Sequence, residues 1–255
     1  MVILSQGWRP KCANQPKDLS MSEPQILLSI DTCGPTGTVA LARLNAGKLE
    51  MLAETELPGK TYSAQLLPAI GQLLAAHHAT VAQIATIVVT NGPGSFTGIR
   101  IGLSTAKGLA EVHSTPIVAV SRLAVLAHKA GATAAALDAS RHEFYYGDYS
   151  GPSPNSRAPN ELVRWGGKES LVTRDHFQQL ASTPAHSLAV CESSVHALAP
   201  LATLVGPPTA VDALRFALPR LAAQDYDNPV TLDGNYLRRS DAEIFSKPKA
   251  VSATP

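Results

Sequence analysis

The sequence has 255 residues, of which 45% are apolar and 16% charged, with a formal net charge of +1. This excludes a disordered chain and a strong electrostatic footprint for nucleic acid, and leaves room for one large domain or two modest lobes. Three cysteines, Cys12, Cys33 and Cys191, form no CxxC pair, which argues against a zinc site or disulfide framework and suits a reducing cytoplasm.

Residues 1–24 are polar, contain prolines and show no periodicity, so they are expected to form a flexible tail. The opening apolar stretch is too short for a signal peptide. No apolar run approaches the roughly 20 residues of a membrane helix. The folded part is expected to begin with the buried strand ILLSID (26–31). GTVALARL (37–44) and KLEMLAETEL (48–57) continue a three-strand meander through the turn Asn45-Ala46-Gly47. Residues 61–78 carry Leu66, Ile70, Leu73, Leu74 and His77 at helical spacing, with Thr61 or Ser63 as N-cap and Pro68 inside the pattern.

IATIVVTN (84–91) reads as another buried strand, followed by the loop GPGS and a helix from about Phe96 to His113. A short strand follows at 117–120, and a helix from Ser121. Residues 133–140 and 142–150 read as a strand pair, and 151–160 as a loop. Helices are expected near 173–181, 194–201 and 211–223, with a strand near 187–191. The pattern is α/β with an antiparallel meander in front.

The glycine loop fails three familiar tests. Lys107 lies between Ala106 and Gly108, so there is no P-loop. Gly92, Gly94 and Gly98 give GxGxxxG, one residue too long for the dinucleotide fingerprint. Ser95 directly follows Gly94, so there is no nucleophile elbow. The loop still leads into a helix N-terminus, an anion-friendly place that Ser95 or Thr97 could cap. Along the following helix, Gly98, Gly102, Ala106 and Ala110 lie four apart and form a stripe nearly free of side chain. Such a stripe suits close approach by the chain's own first helix or by a partner's helices.

GPGSFTGIRIGLSTAKGLA resembles the signature of the TsaB (YeaZ) family of the tRNA threonylcarbamoyladenosine machinery. ILLSIDT, HSTPIVAVSRLAVLA, ALDASRHEFYYGDY and NYLRRSDA resemble further family stretches in the expected order, spanning about 25 to 245. His-Glu-Phe at 142–144 departs from the usual Gly-Glu-Val, and the N-terminal tail is extra.

The resemblance implies an actin/hexokinase/Hsp70-like (ASKHA) fold of two ribonuclease-H-like lobes. The expected divisions are a partner-binding N-terminal lobe at 25–118, a C-terminal lobe at 119–245 and a tail at 246–255. In that fold the first hairpin and the glycine loop hold phosphates and metal. Asp31, Thr32, Gly34, Gly92, Gly94 and Ser95 would then form a degenerate nucleotide cleft. Asp31 also reads simply as an Asx-turn residue.

The paralogous transferase TsaD binds metal through the two histidines of Asn-His-Leu-Glu-Gly-His. Alignment places Arg122 and Leu126 at those positions, and neither can take the ligand's role. No two of the eight histidines lie four apart. The resemblance thus implies a non-catalytic subunit with no intrinsic cofactor or metal, any ATP or ADP sitting at the complex interface. Its partners would be a TsaD-like transferase and a TsaE-like ATPase, with tRNA reached only through the complex and self-pairing when alone. The expected interface residues are Leu66, Ile70, Leu73, His77, Ile99, Gly102, Leu103, Ala106 and Ala110. Two alternatives are an enzyme in its own right, nucleotide-hydrolysing or glycoprotease-like, and a tRNA-binding module using Arg238, Arg239, Lys247 and Lys249.

Overall fold

The computed structural model describes residues 24–150, 167–183 and 187–238. Residues 1–23 and 246–255 of the expected tails, the whole 151–160 loop, and Arg239, Lys247 and Lys249 lie outside them. Strands β1 (Gln25–Asp31), β2 (Thr36–Asn45) and β3 (Lys48–Pro58) form the meander. Helix α1 (Tyr62–Ala76) leads to β4 (Ile84–Thr90), α2 (Phe96–His113) and β5 (Ile117–Val120). The first sheet has the order β3-β2-β1-β4-β5, antiparallel through β1–β3 and parallel through β1, β4 and β5.

The second half repeats the plan. Helix α3 (Arg122–Ala130) precedes β6 (Ala134–Asp138), β7 (Glu143–Asp148) and β8 (Lys168–Thr173). Then come α4 (Arg174–Ala181), β9 (Leu188–Val190), α5 (Ser193–His196), β10 (Thr203–Leu204) and α6 (Ala210–Ala222). The second sheet runs β10-β9-β6-β7-β8, the same order by position within each half. These are the two lobes of the expected α/β fold. β8, β10 and the shortness of α5 were not expected from the sequence.

Helices α1 and α2 cover one face of the first sheet. Leu66, Ile70 and Leu73 of α1 meet Ile99 and Leu103 of α2 over Leu28, Ile30, Val89 and Ile87. The opposite face is covered by α6 from the far end of the chain, through Ala210, Ala213, Leu214 and Ala217 on Leu27, Ala40 and Val88. The alanines let α6 lie close to the strands, and Ala210 N donates to Thr38 Oγ1 at 2.7 Å. Pro68 is tolerated inside α1 because it faces solvent, where water satisfies the carbonyl left without its amide. Among the described residues, no helix is long and apolar enough to cross a membrane.

Candidate functional site

Three chain segments converge at the C-terminal ends of β1 and β4: the β1–β2 turn, the β4–α2 loop and the start of α3. Asp31 Oδ1 accepts from Cys33 N at 2.8 Å, the Asx-turn expected of it. The turn and the loop are joined directly. Ser95 N donates to Cys33 O at 2.8 Å, and Cys33 Sγ to Thr90 O at 3.3 Å. Tyr62 reaches in from α1, its hydroxyl donating to Gly34 O at 2.7 Å. Arg122 N donates to Gly92 O at 2.7 Å, tying α3 to the same loop. Ser95 caps α2, accepting from Gly98 N at 3.2 Å.

The two glycines of the small-residue stripe lie against the β1–β2 turn, while Ala106 and Ala110 are buried in the core that α1 and α2 share over the first sheet. A β-carbon on Gly98 would collide with the Thr32 carbonyl oxygen, and one on Gly102 with Thr32 Oγ1. That absence of side chain lets Thr32 Oγ1 donate to Gly98 O at 2.7 Å. The glycines therefore seat the helix on the turn.

Arg122 enters the same space. Its Nε lies 3.5 Å from Asp31 Oδ2, and the two side chains are 6% and 2% exposed. Nε has no hydrogen-bond acceptor among the described residues, so the contact is an ion pair without a formed hydrogen bond. Burial lowers the guanidinium's pKa, but Asp31 together with Cys33, Cys191 and Glu192 outweighs it, and the net shift is upward. Its Nη2 lies where it would be 2.6 Å from a β-carbon on Gly34, so a larger residue at this turn position would push the guanidinium aside. Leu126, the other aligned position, is wholly buried in the second lobe's core.

The surroundings hold further ionisable groups. Burial, and then the Asp31 charge, push the Cys33 thiol well above its usual pKa and raise Tyr62 to about 12. Burial and then Glu192 raise Cys191 to about 12. Such thiols stay protonated and are poor nucleophiles. Among the described residues no three His, Cys, Asp or Glu side chains gather as a metal site. One Asp31 oxygen serves the turn and the other faces a guanidinium, so this cleft does not fit a metal ion.

The structure places most of the expected interface residues inside the chain's own core. Leu66, Ile70, Leu73, Ile99, Leu103, Ala106 and Ala110 are all at most 7% exposed and belong to the chain's own core. Gly102 is buried on Thr32, and His77 is half-buried at the C-terminus of α1. Apolar residues at helical spacing marked the face that packs on the sheet. The outward face of α1 instead presents Ala64, Leu67, Pro68, Gly71 and Ala75, with no charge anywhere in the helix. Leu67 is 57% exposed. On α2, Gly108 and Val112 are exposed.

A second polar centre escaped sequence reasoning. Glu169 of β8 accepts from Ser121 Oγ at 2.5 Å, Tyr149 Oη at 2.6 Å and Asn235 Nδ2 at 2.5 Å. Asn235 N in turn donates to Asn91 O at 2.7 Å. One carboxylate thus ties the second sheet, the start of α3 and the C-terminal segment to the glycine loop. Arg238, a candidate for RNA phosphates, is paired instead with Glu143.

The model of the TsaD family, tRNA N6-adenosine threonylcarbamoyltransferase, matches residues 55–153. The tRNA threonylcarbamoyladenosine biosynthesis protein TsaB of Escherichia coli K12 is 36% identical over 167 residues, 61% of this chain and 67% of that protein. The Haemophilus influenzae TsaB is 34% identical over 168 residues, 64% of this chain and 66% of its own length. These matches span about two thirds of the curated relatives. An uncharacterised Mycobacterium tuberculosis protein is 30% identical over 241 residues, covering 91% of this chain and 99% of itself. The solved YeaZ of Pseudomonas aeruginosa shares the fold, with a TM-score of 0.63 at 24% identity, over 84% of this chain and 100% of that one.

Proposed function

Because the chain belongs to the TsaB (YeaZ) family, we propose that it acts in tRNA threonylcarbamoyladenosine biosynthesis as a non-catalytic subunit. It scaffolds and activates a TsaD-type transferase together with a TsaE-type ATPase. The observation that carries this reading is the Arg122–Asp31 pair. The carboxylate that could hold a metal or a metal-bound phosphate faces the chain's own permanent cation. A cleft engaged in this way leaves the chain its surfaces to work with.

The surface best suited to a partner is the outward side of α1 and α2. It is uncharged along α1, and glycines sit at its exposed positions Gly71 and Gly108. A β-carbon at either would meet nothing within 4 Å. Glycine in an exposed helix interior costs about 1 kcal/mol relative to alanine. Bare backbone there is useful where another helix packs closely. A TsaD-type subunit, or a second copy in its absence, fits this face. ATP or ADP, where required, acts in the assembled complex, and tRNA is reached through the other subunits.

Reconstitution tests the reading. The transferase, the ATPase and the enzyme supplying the threonylcarbamoyl donor are incubated with substrate tRNA, with and without this chain. Modified adenosine should form only when the chain is present, and the chain alone should turn over nothing. Equal modification without it overturns the proposal.

A further inference from the structure

A cavity of about 480 Å³ opens between α2 and the C-terminal segment, lined by Phe96, Arg100, Ser104, Lys107, Asp233 and Tyr236 among others. Its wall is ordered by ring contacts. The Phe96 and Tyr236 centroids are 4.8 Å apart, and the Arg100 guanidinium lies 3.9 Å over the Phe96 ring. Lys107 Nζ donates to Leu232 O at 2.5 Å, which holds the segment against the helix. Neither cation meets a carboxylate among the described residues; the ion pairs there involve other side chains. Asp233 at the rim accepts from Gly234 N at 2.7 Å.

Two positive groups are therefore held in place, one flat on a ring and one by a carbonyl, neither of them ion-paired, with Asp233 the carboxylate at the rim. A guanidinium fixed this way has already lost much of the freedom that binding an anion would cost it. The cavity is continuous with the proposed partner face. Arg100, Ser104, Gly108 and Val112 lie four residues apart on α2, and all four are exposed.

We propose that this cavity receives a carboxylate from an acidic segment of the partner protein that packs across α1 and α2, a proposal that rests on the partner-face reading above. A protein carboxylate suits the site better than RNA. The cations number two, and the next exposed turns of α2 carry Gly108, Glu111 and Val112, which offer no run of positive charge for a polyanion to follow. The pairing sets register and orientation beside the uncharged outward side of α1.

The test measures the affinity of the full-length chain for the TsaD-type subunit of the same organism, by titration calorimetry at low and high salt. Wild-type affinity should fall with salt. R100E, which breaks only a surface contact with Phe96, should weaken binding about tenfold or more at low salt, and R100E/K107E further, with the salt dependence flattened. Thermal melts should leave R100E as stable as wild type. Full-strength binding by R100E/K107E overturns the carboxylate site while L67E still abolishes association. If L67E also binds fully, the partner face itself falls. Loss of tRNA binding with partner affinity intact in R100E/K107E overturns the proposal in favour of RNA.

Discussion

Arg122 Nε lies 3.5 Å from Asp31 Oδ2, although Asp31 ends the first strand of one lobe and Arg122 opens the first helix of the other. The pair sits beside the glycine loop, at the C-terminal ends of β1 and β4. It also binds the two lobes together at their junction.

Removing one partner strands the other's charge. R122M should destabilise the chain by about 3–5 kcal/mol, the usual cost of leaving a buried charge unpaired. D31N/R122M should regain most of that loss, because both charges are gone. Urea unfolding of wild type, D31N, R122M and D31N/R122M closes the cycle, and equal stability of R122M and wild type would refute the pairing.

The core faces of α1 and α2 are intolerant of charge. I70E or L103E should unfold the chain, since Ile70 and Leu103 are 2% and 5% exposed. L67E should fold normally and fail to bind the partner. Circular dichroism melts beside a pull-down with the transferase separate the two outcomes. A folded I70E that binds no partner would restore the inward positions as interface.

Gly71 and Gly108 should respond differently to small and large substitutions. G71A and G108A should each stabilise the isolated chain by about 0.5–1 kcal/mol, because the added methyl meets open space and restricts the unfolded chain. G71L should keep the fold and weaken partner binding at least tenfold, by holding the helices apart. Unchanged binding by G71L would show that no helix packs there. G98A, by contrast, should destabilise by about 1–3 kcal/mol through collision with Thr32.

Alkaline pH should loosen the fold. Cys33, Cys191 and Tyr62 all have raised pKa values when folded, the last two at about 12. Each keeps its proton in the folded state after the unfolded chain has lost it. Stability is thus unaffected well below pH 9 and falls as pH climbs from about 9 toward 12. Melting temperatures across that range should decline, and iodoacetamide at pH 8 should label Cys33 and Cys191 only slowly until the chain unfolds. Rapid labelling of folded Cys33 would contradict its burial.

Much of the fold was legible because period and burial agreed. ILLSID and IATIVVTN are continuous apolar runs bounded by turn residues, and both are central strands. The sequence KESLVT of β8 was not legible, because an edge strand needs no apolar face and Glu169 carries its function as a hydrogen-bond hub. Asp31 could be identified as a turn residue. Its ion-pair partner could not, because arginine is ordinarily a surface residue and only the lobe arrangement brings Arg122 inward. The expected interface residues turned out to be core residues for a related reason. Leucines and isoleucines at helical spacing marked the face that packs on the sheet, while the outward face we propose for a partner carries no charge on α1 and glycines at 71 and 108.

The most direct test of a cleft engaged by its own cation is calorimetric titration of the purified chain with magnesium ATP, beside D31N. No saturable binding dependent on Asp31 is the expected result. Saturable binding by the wild type that D31N abolishes would show a working nucleotide site and contradict the central claim.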